Sequence, residues 1–443
     1  MRIFNMKIIR VLLFFSIFFV LNHALIFICS PVSNYTKNML NDYVHEQNID
    51  TIFCGSSLVY CGINPYKLNT VLNVNAFDLS SASQPIDTTH SLLKLALTKH
   101  PVKTVCLGAG YGAWYYHELN LIFWDKKEEL RILSPYEKIK TLAVFLFDKT
   151  RFKKTDSIVF LFSWIYDRGT FTPSAIKKNI KEKLNHTFDY KDHSPMGKGY
   201  WFSAKKNDYN NITLLSQDIE NGDFSASALA ELDKICSLCK EKNIDFLVFA
   251  PPYTVYDTLA WGNAYFDKMR QIESFLAERG VEYYDFNFIK PDIFKSEENY
   301  FGDYQHMNAF GAEAFSTSFA KFMQLRAQGE NMKKYFYTPE EFLASIDYIS
   351  AVNLTLSQKN NAVFIEGAAY CGTPVTPEYQ FLLKEAEKPS FTIIKDFGTE
   401  AHFSFQPKKS GKYVIRVNAR KAGNQTEFDR YNEKTIMFKK KGK

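Results

Sequence analysis

The residues in this chain best suited to chemistry are Ser57, Asp303 and His306. Thr51 to Cys54 has strand character and runs straight into Gly55, Ser56 and Ser57, which sets a hydroxyl on a sharp turn where a strand ends. Gly55 permits a turn that a Cβ would obstruct, and such a turn leaves backbone N–H groups facing an incoming oxyanion. Far downstream, Asp303-Tyr-Gln-His306-Met-Asn308 stands just before a helical stretch. A serine hydroxyl becomes a nucleophile when a base takes its proton, and a histidine serves as that base when a carboxylate fixes its tautomer. Ser57 therefore reads as nucleophile, His306 as general base and Asp303 as the group that orients it.

A parallel sheet is the element that would position them. Asn75 to Leu79 reads as a second strand, followed by the loop Ser80-Ser81-Ala82-Ser83-Gln84-Pro85 and a helix capped at Asp87 or Thr88 and running to Lys99. Val102 to Gly108 is a buried strand that opens into the glycine-rich Gly108 to Trp114. That loop lacks the Gly-Lys-Ser/Thr ending of a phosphate cradle and the full dinucleotide fingerprint, which disfavours a nucleotide site. A helix at about 226–242 feeds the strand Asp245 to Ala250, stopped by Pro251 and Pro252; a helix from Phe266 to Arg279 and the strand Val281 to Asn287 follow. Such alternation predicts a sheet wrapped on both faces, with its crevice beyond the carboxyl ends of the strands. The Ser57 turn, the Ser81–Gln84 loop and the Gly108 loop all fall at such ends. Residues 115–225 read as an insertion or lid, with Lys177, Lys178, Lys181 and Lys183 on a solvated helix face.

Taken together, Gly55-Ser56-Ser57 after the first strand, a serine-rich loop after the second and Asp-x-x-His-x-Asn before the last helix resemble the SGNH/GDSL hydrolase superfamily. Within it, the chain looks most like the membrane-anchored branch with the AlgX-like polysaccharide acetyltransferases and the DltD-like proteins of lipoteichoic acid D-alanylation. The resemblance covers about residues 46–325 and implies a three-layer α/β domain, a Ser57–His306–Asp303 acyl-enzyme mechanism and no cofactor or metal. It also implies transfer or hydrolysis of an acyl group on a cell-surface polysaccharide or teichoic-type polymer, with a membrane protein exporting the acyl group as partner. A catalytically inactive scaffold that binds glycan and membrane partners is the alternative. Ser56 stands where the superfamily commonly has Asp, and the Gly-x-Asn-Asp expected after the third strand is replaced by a segment from Gly108 without Asn. Oxyanion donors are then sought in the N–H of Ser57 and of a residue within Ser81 to Ser83, with Gln84 or Tyr111 in place of the missing side chain.

The N-terminus sets the compartment. Arg2, Lys7 and Arg10 precede an apolar run, Val11 to Ile28, whose 18 residues span roughly 27 Å as a helix. No convincing small-x-small cleavage site follows, so residues 1–33 are expected to form a retained signal anchor in preference to a removed signal peptide, with the bulk of the chain outside the cell membrane. With 46% hydrophobic and 23% charged residues the remainder is globular. Basic charge gathers in residues 401–443, where 12 Lys and Arg face 3 Asp and Glu; it reads as a solvated face or as attraction to an anionic surface, and with no recognition motif beside it nucleic acid is disfavoured. The seven cysteines read as core residues, including Cys236 and Cys239 on an apolar helix stripe. Strand-like runs from Ala362 onward predict a small β-sandwich within 340–443. Aromatic residues near the expected crevice, Tyr111, Trp114, Tyr115, Tyr116, Trp201 and Tyr253, would either stack on sugar rings or pack inside; both readings stand.

Overall fold

A computed structural model describes residues 2–30, 32, 34–110, 127–147, 162–165, 172–185, 196–212, 214 and 224–440. Helix α1 (Arg2–Cys29) is apolar and exposed along most of its length, long enough to cross a membrane from Met6 to Cys29. Helix α2 (Tyr35–His45) starts at Asn34, whose side chain accepts from Lys37 N at 2.7 Å, and buries Tyr35, Met39, Leu40 and Tyr43 against the sheet. The α/β body therefore begins before residue 46.

Five parallel strands follow in the order β2-β1-β3-β4-β5: β1 (Thr51–Gly55), β2 (Ala76–Asp78), β3 (Thr104–Gly108), β4 (Asp245–Ala250) and β5 (Glu282–Asp285). Their near-continuous burial is what a sheet covered on both faces requires. One face packs on α2, α5 (Ile86–Lys99), α8 (Ala226–Glu241) and α9 (Val255–Ala277). The other carries α3 (Ser57–Gly62), α4 (Pro65–Leu72) and α10 (Ala309–Ala327), where Phe53, Phe249, Phe286, Phe315 and Phe319 form an aromatic core. The connections reverse between β1 and β3, which makes the carboxyl ends of these two strands the switch point of the sheet.

Several boundaries differ from expectation. Helix α5 starts at Ile86 behind Pro85, ahead of Asp87, and α9 carries a helical segment from Val255 ahead of the expected Phe266, the two parts meeting at a kink where Gly262 has a positive φ (55°) and interrupts the apolar stripe. Between β3 and α8 lie α6 (Pro135–Phe147) and α7 (Pro173–Asn185). After α11 (Pro339–Ser345), sheets β10-β7-β6 and β12-β11-β8-β9 enclose a core of Val352, Leu354, Ile365, Phe381, Ile415 and Val417. Their strands are β6 (Ile349–Lys359), β7 (Ala362–Cys371), β8 (Pro377–Glu385), β9 (Thr392–Gly398), β10 (His402–Phe405), β11 (Gly411–Lys421) and β12 (Arg430–Phe438). All are antiparallel.

Candidate active site

Ser57 is the first residue of α3, two positions past the end of β1. Tight packing sets the turn: at Gly55 (φ 151°) a Cβ would stand 2.2 Å from Gly108 O and 2.7 Å from Val59 Cγ2. A Cβ on Gly108 would in turn meet Val59 Cγ2 at 2.3 Å. The two glycines thus let β1 and β3 close over Val59 and bring the loop after β3 beside α3.

The loop before α10 supplies the other two groups. Asn308 caps α10, its Oδ1 accepting from Phe310 N and Gly311 N at 3.0 and 3.1 Å. Its Nδ2 donates to the carbonyls of Lys205, Asn299 and Phe301, so this buried amide is structural, holding the loop rather than facing substrate. Asp303 Oδ1 accepts from Gln305 N at 3.0 Å and His306 N at 2.8 Å, and the carboxylate lies 3.0 and 3.1 Å from His306 Nδ1. His306 Nε2 lies 2.8 Å from Ser57 Oγ. With the ring proton on Nδ1, the imidazole donates to Asp303 and accepts from the serine hydroxyl, the arrangement a general base needs. Burial pushes the Asp303 carboxyl up, but the hydrogen bond and charge of His306 and the two backbone N–H groups outweigh it and hold the pKa at about 2. All three side chains are partly open to solvent.

The oxyanion candidates are distributed differently. Ser57 N–H lies in the first turn of a helix, where it has no partner within the helix. Ser56 occupies the cap position with no side-chain capping bond. Ser81 is buried, its N–H 3.4 Å from Gly55 O, and Ser83 takes a left-handed turn position (φ 47°). Gln84 departs from expectation: its Oε1 accepts from Ser81 Oγ at 2.9 Å and its Nε2 donates to Thr89 Oγ1 at 2.8 Å. This buried amide is spent on bracing its own loop. Tyr111, Trp114, Tyr115 and Tyr116 lie outside the described residues. Trp201 packs against Tyr35 and Tyr60, with ring centroids 5.8 and 6.5 Å away, and Tyr253 is buried, so these two rings serve packing.

Two features had no signal in the sequence. A Cβ on Gly110 would stand 2.1 Å from the Tyr253 hydroxyl and 2.4 Å from Leu58 Cδ1, so the tyrosine hydroxyl fills the space where a side chain at 110 would begin. The second is a strap, residues 201–207. Trp201 N donates to Tyr60 O at 3.0 Å, Ala309 N to Ser203 O at 2.7 Å and Asn207 N to Phe301 O at 2.9 Å, tying α3 to the histidine loop. Nothing in its mixed composition marks that path. Cys54, Cys61 and Cys106 are buried, which raises their thiol pKa values, and burial raises Cys236 to about 11 and Cys239 to about 12. Protonated core thiols are neither nucleophiles nor ready metal ligands. Asp78, at the end of β2, is fully buried with neither carboxylate oxygen in a well-formed hydrogen bond, and burial holds its pKa well above the carboxylate range against a weaker opposing contribution from Ser80.

None of the known family models and none of the curated proteins matches the sequence. Among solved structures, a redesigned β-sandwich protein is 12% identical over 20% of this chain and 90% of its own, with a TM-score of 0.17. The PKD1 domain of the Vibrio cholerae metalloprotease PrtV is 11% identical over 20% and 93%, with a TM-score of 0.14. An engineered protein aligns over 93% of this chain and 98% of its own at 10% identity and a TM-score of 0.15. Such values carry no weight for fold or function.

Proposed function

We propose that this chain is an SGNH-like, membrane-tethered serine esterase or O-acyltransferase that acts outside the cell membrane on a cell-surface polysaccharide or teichoic-type polymer. The observation that carries the reading is the 2.8 Å approach of His306 Nε2 to Ser57 Oγ, with Asp303 on the opposite ring nitrogen. In the first half-reaction Ser57 Oγ attacks the acyl carbonyl while its proton passes to His306 Nε2. The bond from carbonyl carbon to the leaving group then breaks, and His306 returns the proton to that group. In the second, His306 takes a proton from water or a sugar hydroxyl, the new oxygen–carbonyl bond forms, and Ser57 leaves with its proton restored. Hydrolysis and transfer share the acyl-Ser57 intermediate and differ in the acceptor. Transfer implies a membrane partner that delivers the acyl group across the bilayer.

The test uses the full chain in detergent with chromogenic acetyl esters and an acetylated polysaccharide. Ser57→Ala and His306→Ala should each lower kcat by at least about 10⁴. Mass spectrometry of quenched parent enzyme should find the acyl group on Ser57. Equal turnover by all three proteins would sink the reading and leave a polymer-binding scaffold.

A further inference from the structure

Two described stretches between β3 and α8, Phe162–Ile165 and α7, hold the N-terminal helix. Phe162 meets Phe18 edge-on with ring centroids 5.8 Å apart, and Trp164 Nε1 donates to Asn22 Oδ1 at 3.0 Å. Nearer the helix end, Asn179 Nδ2 donates to the carbonyls of Ile28 and Ser30 at 2.6 and 2.9 Å. Lys183 Nζ reaches Ser30 Oγ at 2.9 Å and lies 4.9 Å from the centre of the Phe27 ring.

The length of α1 gives these contacts a depth. Counting outward from Arg10, a hydrocarbon core of about 30 Å takes up about 20 residues and ends close to Ser30. Asn22 then lies about 10 Å below the outer edge of the hydrocarbon, and so does the indole bonded to it. The polar side chains of α1 fit that placement. Ser16 Oγ donates to Leu12 O at 2.9 Å and His23 Nδ1 pairs with Phe19 O at 2.8 Å, both within the helix, whereas Asn22 takes its partner from the insertion. A polar group at membrane depth needs such a partner. The turn Phe162–Ile165 also closes its own backbone, Ile165 N donating to Phe162 O at 2.8 Å. Its polar side faces the protein, where Ser163 Oγ accepts from Lys127 at 3.0 Å. At the expected outer boundary, α7 carries Lys177, Lys178 and Lys181 exposed, Lys183 beside Ser30, and Leu184 at 66% exposure.

We propose that Phe162–Ile165 and α7 of this insertion form a membrane-embedded collar on α1, with Phe162–Ile165 in the hydrocarbon near the bilayer midplane and α7 in the headgroup layer, its lysines on anionic lipid phosphate. The inference rests on α1 crossing the bilayer. It assigns the lysine face, expected from sequence to be solvated, to the lipid surface. The collar fixes the height of the α/β body above the membrane, where a lipid-side acyl donor would be met.

The full chain, in a Cys371→Ser background, is labelled singly with a nitroxide at Val20→Cys, Ile165→Cys, Leu184→Cys or Met437→Cys. Each protein is reconstituted into vesicles of phosphatidylethanolamine and phosphatidylglycerol, and collision with oxygen is compared with collision with a water-soluble nickel chelate. Positions 20 and 165 should favour oxygen several-fold over position 437, with 184 between them. Position 165 matching 437 while position 20 remains in hydrocarbon overturns the collar and leaves the anchor standing. Position 20 matching 437 overturns both.

Discussion

Asp303 concentrates the electrostatics of the candidate site in one group. It accepts from the imidazole and from two backbone N–H groups, and its pKa is held at about 2 against an ordinary 3.8. An acid whose pKa is depressed on folding stabilises the native state above its unfolded value, and that contribution fades as pH falls through the folded one. Here the window runs from 3.8 down to about 2, so Asp303 remains charged wherever the enzyme would work. Asp303→Asn should therefore lower stability near pH 7 by the loss of one partly exposed pair, and the urea midpoints of parent and variant should converge as pH falls from 3.8 toward 2. Its effect on rate is different in kind. An amide offers a donor to Nδ1, which drives the ring proton to Nε2 and removes the acceptor for the Ser57 proton; kcat should fall by about 10⁴ with KM nearly unchanged. A variant as fast as the parent would mean that Asp303 is only a loop brace.

At the scale of elements, the site depends on two glycines that let strands and helix meet. Gly55→Ala places a Cβ 2.2 Å from a backbone oxygen of β3 in a left-handed conformation, and Gly108 O cannot yield without parting β1 from β3. The expected cost is about 2–4 kcal/mol, read from urea midpoints, together with loss of turnover. Gly398→Ala, with nothing within 4 Å of the added atom, should leave both unchanged. If the two variants behave alike, close packing of the turn is not what holds Ser57 in place. This turn was legible because Gly-Ser-Ser and Asp-x-x-His-x-Asn are local signals, and the strands around them are short apolar runs bounded by Pro, Gly or charge. Other elements were hidden for physical reasons. The apolar stripe of α9 is broken at Gly262, and α2 covers the sheet from outside the expected domain. The first half of β6 is buried on both sides, Ile349 and Val352 in the sandwich and Ala351 against Tyr256, so it shows no alternation. The strap at 201–207 is held by backbone bonds, which side-chain pattern cannot report.

Across the whole molecule, the β-sandwich leans on the histidine loop. Tyr370 of β7 packs in a cluster with Tyr256, Tyr209, Ile212, Leu214 and Tyr304, the residue next to Asp303. Tyr304 O in turn accepts from Thr254 N and Oγ1 at 3.2 and 2.7 Å, so the loop is fixed to the start of α9 as well as to the sandwich. Arg430 of β12 pairs with Glu298 and donates to Ser350 O at 2.9 Å, spanning the two units. Being partly exposed, that pair contributes about 1 kcal/mol or less, and the aromatic cluster is the stronger tie. On the proposed function, the sandwich would act on His306 through Tyr304 rather than on substrate, and a displacement of about 1 Å in a catalytic base costs up to about 10² in rate. Tyr370→Ala should lower kcat toward that limit and leave KM nearly unchanged, because Tyr370 reaches the candidate site only through the Tyr304 loop. Phe364→Ala, on the same face of the strand but six residues away and 43% exposed, should leave kcat at the parent value. Measured side by side on a chromogenic ester, equal kcat values for the two variants would show that the sandwich is a passenger, and unequal ones in the stated order that it is part of the device that aims His306 at Ser57.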